Sequence, residues 1–286
     1  DYLAWLVQRL DRNRRIAALV VDDSPSARLM VAELLSSYGF RVLLAGDGAQ
    51  ALVAIEQDPG IRLVITDHEM PGLTGVELSA KLRERYNRDR LAIIGVSGAN
   101  KGELVARFLK NGANDFLHKP FSREEFFCRV SQNVDNLDLI GTLQDLATKD
   151  FLTGLSNRRH FFDVATKRLE ALRSEPQPFA VATLDIDHFK KINDTWGHDG
   201  GDLALKAVAA AVAAHARPQD TVARFGGEEF VVFAPGLDAD GALRYFEALR
   251  ERIAALLIEL SDGTVIQATA SIGVCTSGNP ALNIHA

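Results

Sequence analysis

Residues 224–230 read Arg224-Phe225-Gly226-Gly227-Glu228-Glu229-Phe230, and the interpretation of the second half of the chain starts from them. Apolar residues on both sides predict strands at 221–225 and 230–234. Two glycines between such strands suit a tight hairpin, because they accept the positive φ values that its turn requires. The hairpin would place Glu228 and Glu229 side by side at an exposed tip.

Two interpretations of this tip are open from the motif alone. One is a solvated turn, and the other is a cation site, since a divalent cation removes the repulsion between adjacent carboxylates. A second acidic stretch ends another apolar strand upstream, and it reads Thr183-Leu184-Asp185-Ile186-Asp187. With both stretches present, the sequence favours a site for a metal-bound nucleotide.

The composition is that of an ordinary globular protein with room for two domains: 286 residues, 47% hydrophobic and 24% charged. A net charge of −6 argues against a nucleic-acid partner, and no apolar run is long enough to cross a bilayer. We therefore expect a cytoplasmic protein without membrane insertion, whose Cys128 and Cys275 are reduced thiols. The chain opens at Asp1 in a helical pattern without an initiator Met, so we expect residues 1–15 to be the helical tail of a preceding segment.

Strand and helix patterns alternate through residues 16–121, which predicts a parallel sheet with helices on both faces. Functional groups in such sheets gather at the carboxyl ends of the strands. Five polar residues follow predicted strands here, and they are Asp22, Asp23, Asp67, Ser97 and Lys119. Carboxylates, a hydroxyl and an ammonium at one edge predict a magnesium site beside a phosphorylatable aspartate.

On these residues the first domain resembles the receiver domain of two-component response regulators, over about residues 16–135. The resemblance implies a flavodoxin-like α/β fold with five parallel strands and phosphorylation of Asp67 by a sensor histidine kinase. It also implies contacts of Ser97 and Lys119 with the phosphoryl group, reorientation of the Phe116 ring on activation, and a cis peptide before Pro120. The implied Mg²⁺ ligands are Asp22, Asp23, Asp67 and the carbonyl of Glu69.

Residues 122–149 are expected to form a helical connector. Ser122 and Glu125 have the spacing of a capping box, which should start the helix. An apolar series then follows at steps of three and four, as in a coiled-coil seam: Phe127, Val130, Val134 and Leu137. Two alternatives stay open, a last helix packed on its own receiver and a dimerisation seam. The register of the seam shifts at Gly141, where we expect flexibility.

Residues 150–286 predict an α+β domain with an antiparallel sheet covered by helices, including an alanine-rich helix at 200–216, a helix at about 239–258 and a strand at 265–275. Three separated motifs, at 150–159, at 184–187 running on to Asp202, and at 226–230, resemble the GGDEF family of diguanylate cyclases. The resemblance implies a nucleotidyl-cyclase-like fold and a reaction that joins two GTP into cyclic di-GMP with release of two pyrophosphates. Because each site carries one GTP, it also implies a homodimer.

The resemblance assigns roles to individual residues of this domain. Asp185, the carbonyl of Ile186 and Glu228 would hold Mg²⁺, and Glu229 is a further metal-site or acid–base candidate. Lys190 would contact phosphates and completes the catalytic set of Asp185, Glu228, Glu229 and Lys190. The implied substrate-binding residues are Asn193 and Asp202, which would hydrogen-bond guanine, and Phe189.

Arg217 and Asp220 match the family's inhibitory site, where the product cyclic di-GMP binds. The chain stops at Ala286, whereas the family continues with a basic helix, so we expect a domain without its C-terminal end and with weakened GTP binding. The sequence thus predicts a diguanylate cyclase that is regulated by phosphorylation and inhibited by its product. The alternatives are a catalytically silent cyclic di-GMP receptor and a dimerisation scaffold.

Overall fold

The structure, a computed structural model, describes residues 2–98 and 102–277. The predicted end of the chain beyond residue 277 lies outside the described residues. The chain divides into two compact units, Asp1–Thr142 and Leu143–Ala286. Within the described residues, no helix has the length and apolar character needed to span a membrane. Cys128 and Cys275 are both free and exposed.

The first unit is a parallel five-stranded sheet in the order β2-β1-β3-β4-β5, as the alternating pattern predicts. Its elements are α1 (Tyr2–Arg14), β1 (Ala17–Val21), α2 (Pro25–Ser37), β2 (Arg41–Ala45), α3 (Gly48–Gln57), β3 (Ile61–Asp67), α4 (Gly75–Arg83), β4 (Ala92–Ser97), α5 (Gly102–Lys110), β5 (Asp115–His118) and α6 (Arg123–Thr148).

Local sequence explains why these elements form where they do. Strands β1 and β4 are buried along their whole length, as expected for central strands of a sheet covered on both faces. Helix α2 begins at Pro25, and the Ser24 side chain caps it by accepting from a backbone N–H. Helix α4 begins with a complete capping box between Thr74 and Glu77. The Lys119–Pro120 peptide after β5 is cis, as the receiver resemblance implies.

Helix α6 packs on its own receiver, which is one of the two alternatives for the connector. It starts as predicted after Ser122, whose Oγ accepts from the backbone N–H of Glu125 at 3.0 Å. The residues predicted as a coiled-coil seam are instead buried in the core of the first unit: Phe127, Val130, Val134 and Leu137. The seam assignment was therefore wrong, because spacing alone cannot tell a partner helix from the helix's own sheet. Gly141 lies inside the continuous helix.

The second unit contains a five-stranded sheet in the order β12-β7-β9-β8-β6, with a separate two-stranded ribbon. The sheet is antiparallel as predicted except at one edge, where the short β6 pairs with β8 in parallel, so the whole sheet is mixed. Its elements are β6 (Ser156–Asn157), α7 (Arg158–Ser174), β7 (Phe179–Ile186), α8 (Phe189–His215), β8 (Thr221–Gly226), β9 (Glu229–Pro235), α9 (Ala239–Ala254), β10 (Ile258–Glu259), β11 (Val265–Ile266) and β12 (Ala270–Ser277). Apolar residues of α8 and α9 pack on one face of the large sheet and those of α7 on the other.

Three boundaries in this unit differ from the sequence prediction. The helix predicted at 200–216 is preceded by a further helical segment that begins at Phe189, and the two join at a kink at Gly197, whose φ of 72° is non-helical. The helix predicted to reach 258 ends at Ala254, and the strand predicted at 265–275 is split into β11 and β12. The segment before this kink was not predicted, and Phe189 at its start is buried.

Candidate functional site

The carboxyl edge of the first sheet is where the strand-end residues meet. Strands β1, β3, β4 and β5 run in parallel and are followed there by Asp22 and Asp23, Asp67, Ser97 and Lys119. Lys119 Nζ donates to Asp22 Oδ2 at 3.0 Å and to Asp67 Oδ1 at 2.7 Å. Burial lowers the pKa of Lys119, but the hydrogen bonds and charges of Asp67 and Asp22 outweigh it, so the pKa is raised. A charged ammonium therefore joins the two carboxylates.

The remaining receiver candidates differ in exposure. Asp23 and Glu69 are exposed, and the backbone N–H of Glu69 donates to Asp67 Oδ2 at 2.7 Å. Ser97 and Phe116 are buried, so the aromatic residue expected to reorient faces the interior in this structure. Lys119 therefore already contacts two of the three aspartates at this edge of the sheet, Asp22 and Asp67.

The hairpin at 226–229 has the geometry that its two glycines predict. Gly226 and Gly227 have φ of 139° and 53°, values that only glycine adopts without strain. Strands β8 and β9 pair with Gly226 opposite Glu229, so Gly227 and Glu228 form the turn itself. Strand β7 runs beside β9 and places Asp185 opposite Glu229. The two acidic motifs therefore meet at one edge of the second sheet, although they are more than 40 residues apart in sequence.

Asp185 is repelled by the neighbouring carboxylates of Glu228 and Asp187. Its pKa is raised, first by burial and then by the negative charges of Glu228 and Asp187. Within the described residues, no group of three His, Cys, Asp or Glu side chains is arranged to hold a metal ion. The predicted GTP-side ligands are two carboxylates and the carbonyl of Ile186, all hard oxygen donors, and their uncompensated charge fits Mg²⁺.

Asp187, the other carboxylate of this motif, is already engaged. Its two oxygens accept from Thr269 Oγ1 at 2.7 Å and Ser271 Oγ at 2.6 Å, and these hydrogen bonds lower its pKa. Its backbone N–H donates to the carbonyl of Thr269 at 2.9 Å. The next residue, His188, has φ of 56° and begins the turn into α8. Asp187 thus fastens the segment after Asp185 to the end of the sheet.

The first part of α8 carries the residues predicted to bind substrate. Lys190 is exposed, Asn193 and Asp202 are half-buried, and Phe189 is buried. A Cβ at Gly201 would lie 1.9 Å from Asn193 Oδ1, so only glycine leaves the Asn193 amide in its place. Asn193 and Asp202 lie on opposite sides of the kink at Gly197.

Arg224 connects the opening turn of the second unit to the acidic hairpin. Its Nη1 lies 3.0 Å from Asp150 Oδ1, and its Nε and Nη2 donate to the carbonyl of Gly227 at 3.0 and 2.8 Å. The two side chains are only 10% and 15% exposed. Asp150 Oδ1 also accepts from the backbone N–H and hydroxyl of Thr153. The turn that holds Glu228 is therefore held by Arg224, whose ion-pair partner Asp150 lies 74 residues earlier in the sequence.

Arg217 and Asp220, predicted as the inhibitory pair, form an ion pair with each other just before β8. Arg217 Nη2 lies 2.7 Å from Asp220 Oδ1 and also donates to the carbonyl of Pro235 at 2.9 Å. The Asp220 side chain is fully buried, whereas that of Arg217 is 27% exposed. The Arg217 guanidinium is therefore oriented by the Asp220 carboxylate.

Four residues with evident positional roles were missed by sequence reasoning: Asp150, Gly201, Arg224 and Tyr245. Asp150 and Arg224 were quoted in motifs without a role, and no local pattern pairs them. Gly201 could have been noticed as a glycine inside an alanine-rich helix, where it costs stability unless space requires it. Tyr245 carries no sequence signal.

Comparison with known families covers most of the chain. Residues 147–286 match the model of the diguanylate cyclase GGDEF domain, and residues 18–131 match the model of the response regulator receiver domain. Each match covers one of the two sheets at whose edge candidate residues meet.

Individual relatives match either most of the chain or about half of it. The chain is 30% identical over 280 residues to the response regulator PleD of Caulobacter vibrioides, covering 95% of this chain and 61% of PleD. It is 38% identical over 141 residues to the probable diguanylate cyclase DgcT of Escherichia coli, covering 49% of this chain and 31% of DgcT. The chain therefore spans less than two thirds of either relative.

Among solved structures, the second part resembles the coiled coil and GGDEF domain of DgcB from Caulobacter crescentus, crystallised in complex with c-di-GMP. The two share 29% identity with a TM-score of 0.51, over 58% of this chain and 87% of that one.

Proposed function

With a receiver domain at 18–131 and a GGDEF domain at 147–286, the chain belongs to the response regulators that carry a diguanylate cyclase domain, and from this membership we propose that it makes cyclic di-GMP from two GTP in the cytoplasm. One observation carries the proposal: Asp185 on β7 lies beside the Gly-Gly hairpin that carries Glu228 and Glu229, and its pKa is raised by burial and by the charges of Glu228 and Asp187. Such a cluster is costly without a cation, and GTP arrives with one.

The reaction is attack of the 3′-hydroxyl of one GTP on the α-phosphorus of the other, with pyrophosphate leaving, repeated once in the opposite sense. Asp185, Glu228 and the carbonyl of Ile186 would hold Mg²⁺, which supplies charge neutralisation at the phosphates. Glu229 lies at the start of β9, opposite Asp185, and would accept the proton of the attacking hydroxyl or join the metal site. Lys190, exposed one residue into α8, binds phosphate oxygens.

Selectivity for guanine comes from α8. The carboxylate of Asp202 accepts from the N1 and N2 donors of guanine, and the Asn193 amide offers a further hydrogen bond. Adenine has no N1–H and no 2-amino group, so it would leave the half-buried carboxylate of Asp202 unpaired. Phe189, on the same helix, is buried in the core of the second unit.

Regulation is proposed to run through Asp67. A sensor histidine kinase would transfer a phosphoryl group to this carboxylate, and Lys119 and Ser97 would bind the new oxygens while Phe116 reorients. Mg²⁺ at Asp22, Asp23, Asp67 and the carbonyl of Glu69 supplies the charge neutralisation for this transfer. Phosphorylation then acts by population shift, to the extent that the phosphorylated chain forms the productive homodimer more readily.

The second half of α6 supports the homodimer. Leu139, Leu143 and Leu146 are all exposed and recur at steps of four and three, so they lie on one face of the helix. This stripe follows the residues that the receiver core covers, and a second copy would remove it from water. Product inhibition at Arg217 and Asp220 is proposed as the second control.

The test is chromatographic detection of cyclic di-GMP after incubation with GTP and Mg²⁺, with and without beryllofluoride. We expect product that increases with beryllofluoride, no product from Glu228→Ala, and unchanged synthesis by the control Glu170→Ala, which alters an exposed glutamate of α7. Synthesis that survives Glu228→Ala would refute the metal assignment. Binding of cyclic di-GMP without any synthesis would favour the silent receptor.

A further inference from the structure

The candidate inhibitory site contains a third residue that no motif marks, Tyr245 of α9. Its hydroxyl donates to Asp220 Oδ2 at 2.7 Å, and it also lies 3.3 Å from the carbonyl of His215. Asp220 Oδ2 accepts in addition from the backbone N–H of Arg217 at 2.8 Å. The other oxygen, Oδ1, is held by the Arg217 side chain. Both oxygens of Asp220 are thus already engaged.

Tyr245 is fixed in place by its neighbours at the end of α8. The ring lies 4.4 Å from the His215 ring, whose Nε2 is 3.0 Å from the carbonyl of Tyr245. On the open side the Arg217 guanidinium lies over the Tyr245 ring, 5.2 Å from its centroid. The phenol hydroxyl and the guanidinium both contact the carboxylate of Asp220, whose side chain is fully buried.

The protonation states agree with this arrangement. Burial raises the pKa of the Tyr245 hydroxyl, and so does the adjacent Asp220 charge, so the hydroxyl remains a neutral donor. Burial also acts to raise the pKa of Asp220, but its hydrogen bonds from Arg217 and Tyr245 outweigh it, and the pKa is lowered. Asp220 is therefore a charged carboxylate whose requirements are met within the chain.

We propose that Tyr245 is a latch on this site: it holds Asp220 closed in the ligand-free protein, and a guanine base must displace its hydroxyl to reach the carboxylate. The inference rests on the proposed function of Arg217 and Asp220 as the product-binding pair. Guanine offers two N–H donors to one carboxylate, and they need the acceptor positions that Tyr245 and Arg217 now occupy.

The latch has a definite effect on affinity. When only a fraction of molecules is open, the apparent dissociation constant is the intrinsic one divided by that fraction. Tyr245→Phe keeps the ring and its packing but removes the competing donor, so the open fraction rises. A hydrogen bond to a charged group of this kind corresponds to roughly a tenfold change. We expect about tenfold tighter product binding, mostly through faster association.

Titration of the whole chain with cyclic di-GMP tests this directly. Calorimetry gives the affinity and surface plasmon resonance the association rate, for the wild type, Tyr245→Phe, Arg217→Ala and the control Tyr86→Phe. Tyr86 lies in the first unit, so removal of its hydroxyl should change neither quantity. Tighter and faster binding by Tyr245→Phe, with binding abolished in Arg217→Ala, is the expected result. A residue with only a structural role would weaken binding when mutated.

The failures can be told apart. If Arg217→Ala binds like the wild type, the proposed inhibitory site is wrong and the latch falls with it. If Arg217→Ala loses binding while Tyr245→Phe binds equally or more weakly, the site stands and the latch is refuted. The thermal midpoint of each variant shows that it folds, and Tyr245→Leu, which also removes the hydroxyl, replaces Tyr245→Phe if that variant does not.

Discussion

Replacing Arg224 by methionine would test how strongly the opening turn of the second unit stabilises the acidic hairpin. Methionine keeps much of the length and apolar contact of the side chain but removes its charge and donors. Asp150 would lose its ion pair at 3.0 Å, and the carbonyl of Gly227 would lose both hydrogen bonds. Asp150 would keep the two hydrogen bonds from Thr153, which limits the damage.

The expected loss follows from burial. Removing one partner of a buried ion pair costs about 3–5 kcal/mol, because the other charge stays behind unpaired. Since Asp150 keeps the two donors of Thr153, we expect a loss of about 3 kcal/mol in the free energy of unfolding of the second unit. The matched control is Arg250→Met, whose pair with Glu247 is 44% and 49% exposed. Exposed pairs contribute less than about 1 kcal/mol.

The loss should also depend on pH. Burial acts to raise the pKa of Asp150, but hydrogen bonds from Thr153 and Arg224 outweigh it, so the folded-state pKa is below the unfolded value of about 3.9. A lowered carboxylate pKa stabilises the fold above the unfolded pKa, and the contribution is lost as pH falls through the folded one. The difference between wild type and Arg224→Met should therefore be full at pH 7 and shrink below about pH 4.

Urea unfolding followed by tryptophan fluorescence measures this effect. The chain has two tryptophans, so a Trp5→Phe background leaves Trp196 as a reporter of the second unit. Asp150→Asn and the double variant complete a mutant cycle that isolates the coupling. A loss below about 1 kcal/mol at pH 7, or additive single effects, would refute the reasoning, because the pair would then behave like an exposed one.

Three further predictions concern the two candidate sites. Asp67→Asn should abolish activation of cyclic di-GMP synthesis by beryllofluoride and leave basal synthesis in place; unchanged activation would remove the receiver from the mechanism. Glu228→Gln should raise the free energy of unfolding of the metal-free protein at pH 7 by up to about 1 kcal/mol, seen as a higher thermal midpoint, since it removes a charge that raises the pKa of Asp185. That gain should vanish in acid as Asp185 is protonated, and calorimetry at two pH values checks it. Gly201→Ala should weaken GTP binding at least tenfold by displacing Asn193, at a stability cost of about 1–3 kcal/mol, and equal binding in a titration would contradict the packing argument.

Much of the fold was readable from sequence because its signals are local. Alternating apolar strands and amphipathic helices define the parallel sheet, and the carboxyl ends of parallel strands must share an edge, so Asp22, Asp67 and Lys119 could be placed together in advance. The hairpin at Gly226 and Gly227 was readable for the same reason, since few other residues accept its φ values.

Tertiary contacts decided what local signals left open. The apolar series from Phe127 to Leu137 has helical spacing whether it faces a partner or its own sheet, and only packing shows that it faces the sheet. The helical segment at 189–196 was likewise not predicted from local pattern, and the structure shows that Phe189 at its start is buried in the core of the second unit.

The sequence by itself thus determined the two domain folds, the edges where their functional residues lie, and the residue types available for phosphoryl and nucleotide chemistry. Only the tertiary structure decided two long-range polar contacts: Arg224 with Asp150, and Asp220 with Tyr245. The physical reason is distance along the chain. These contacts join residues 25 and 74 positions apart, and no helical or strand period extends that far.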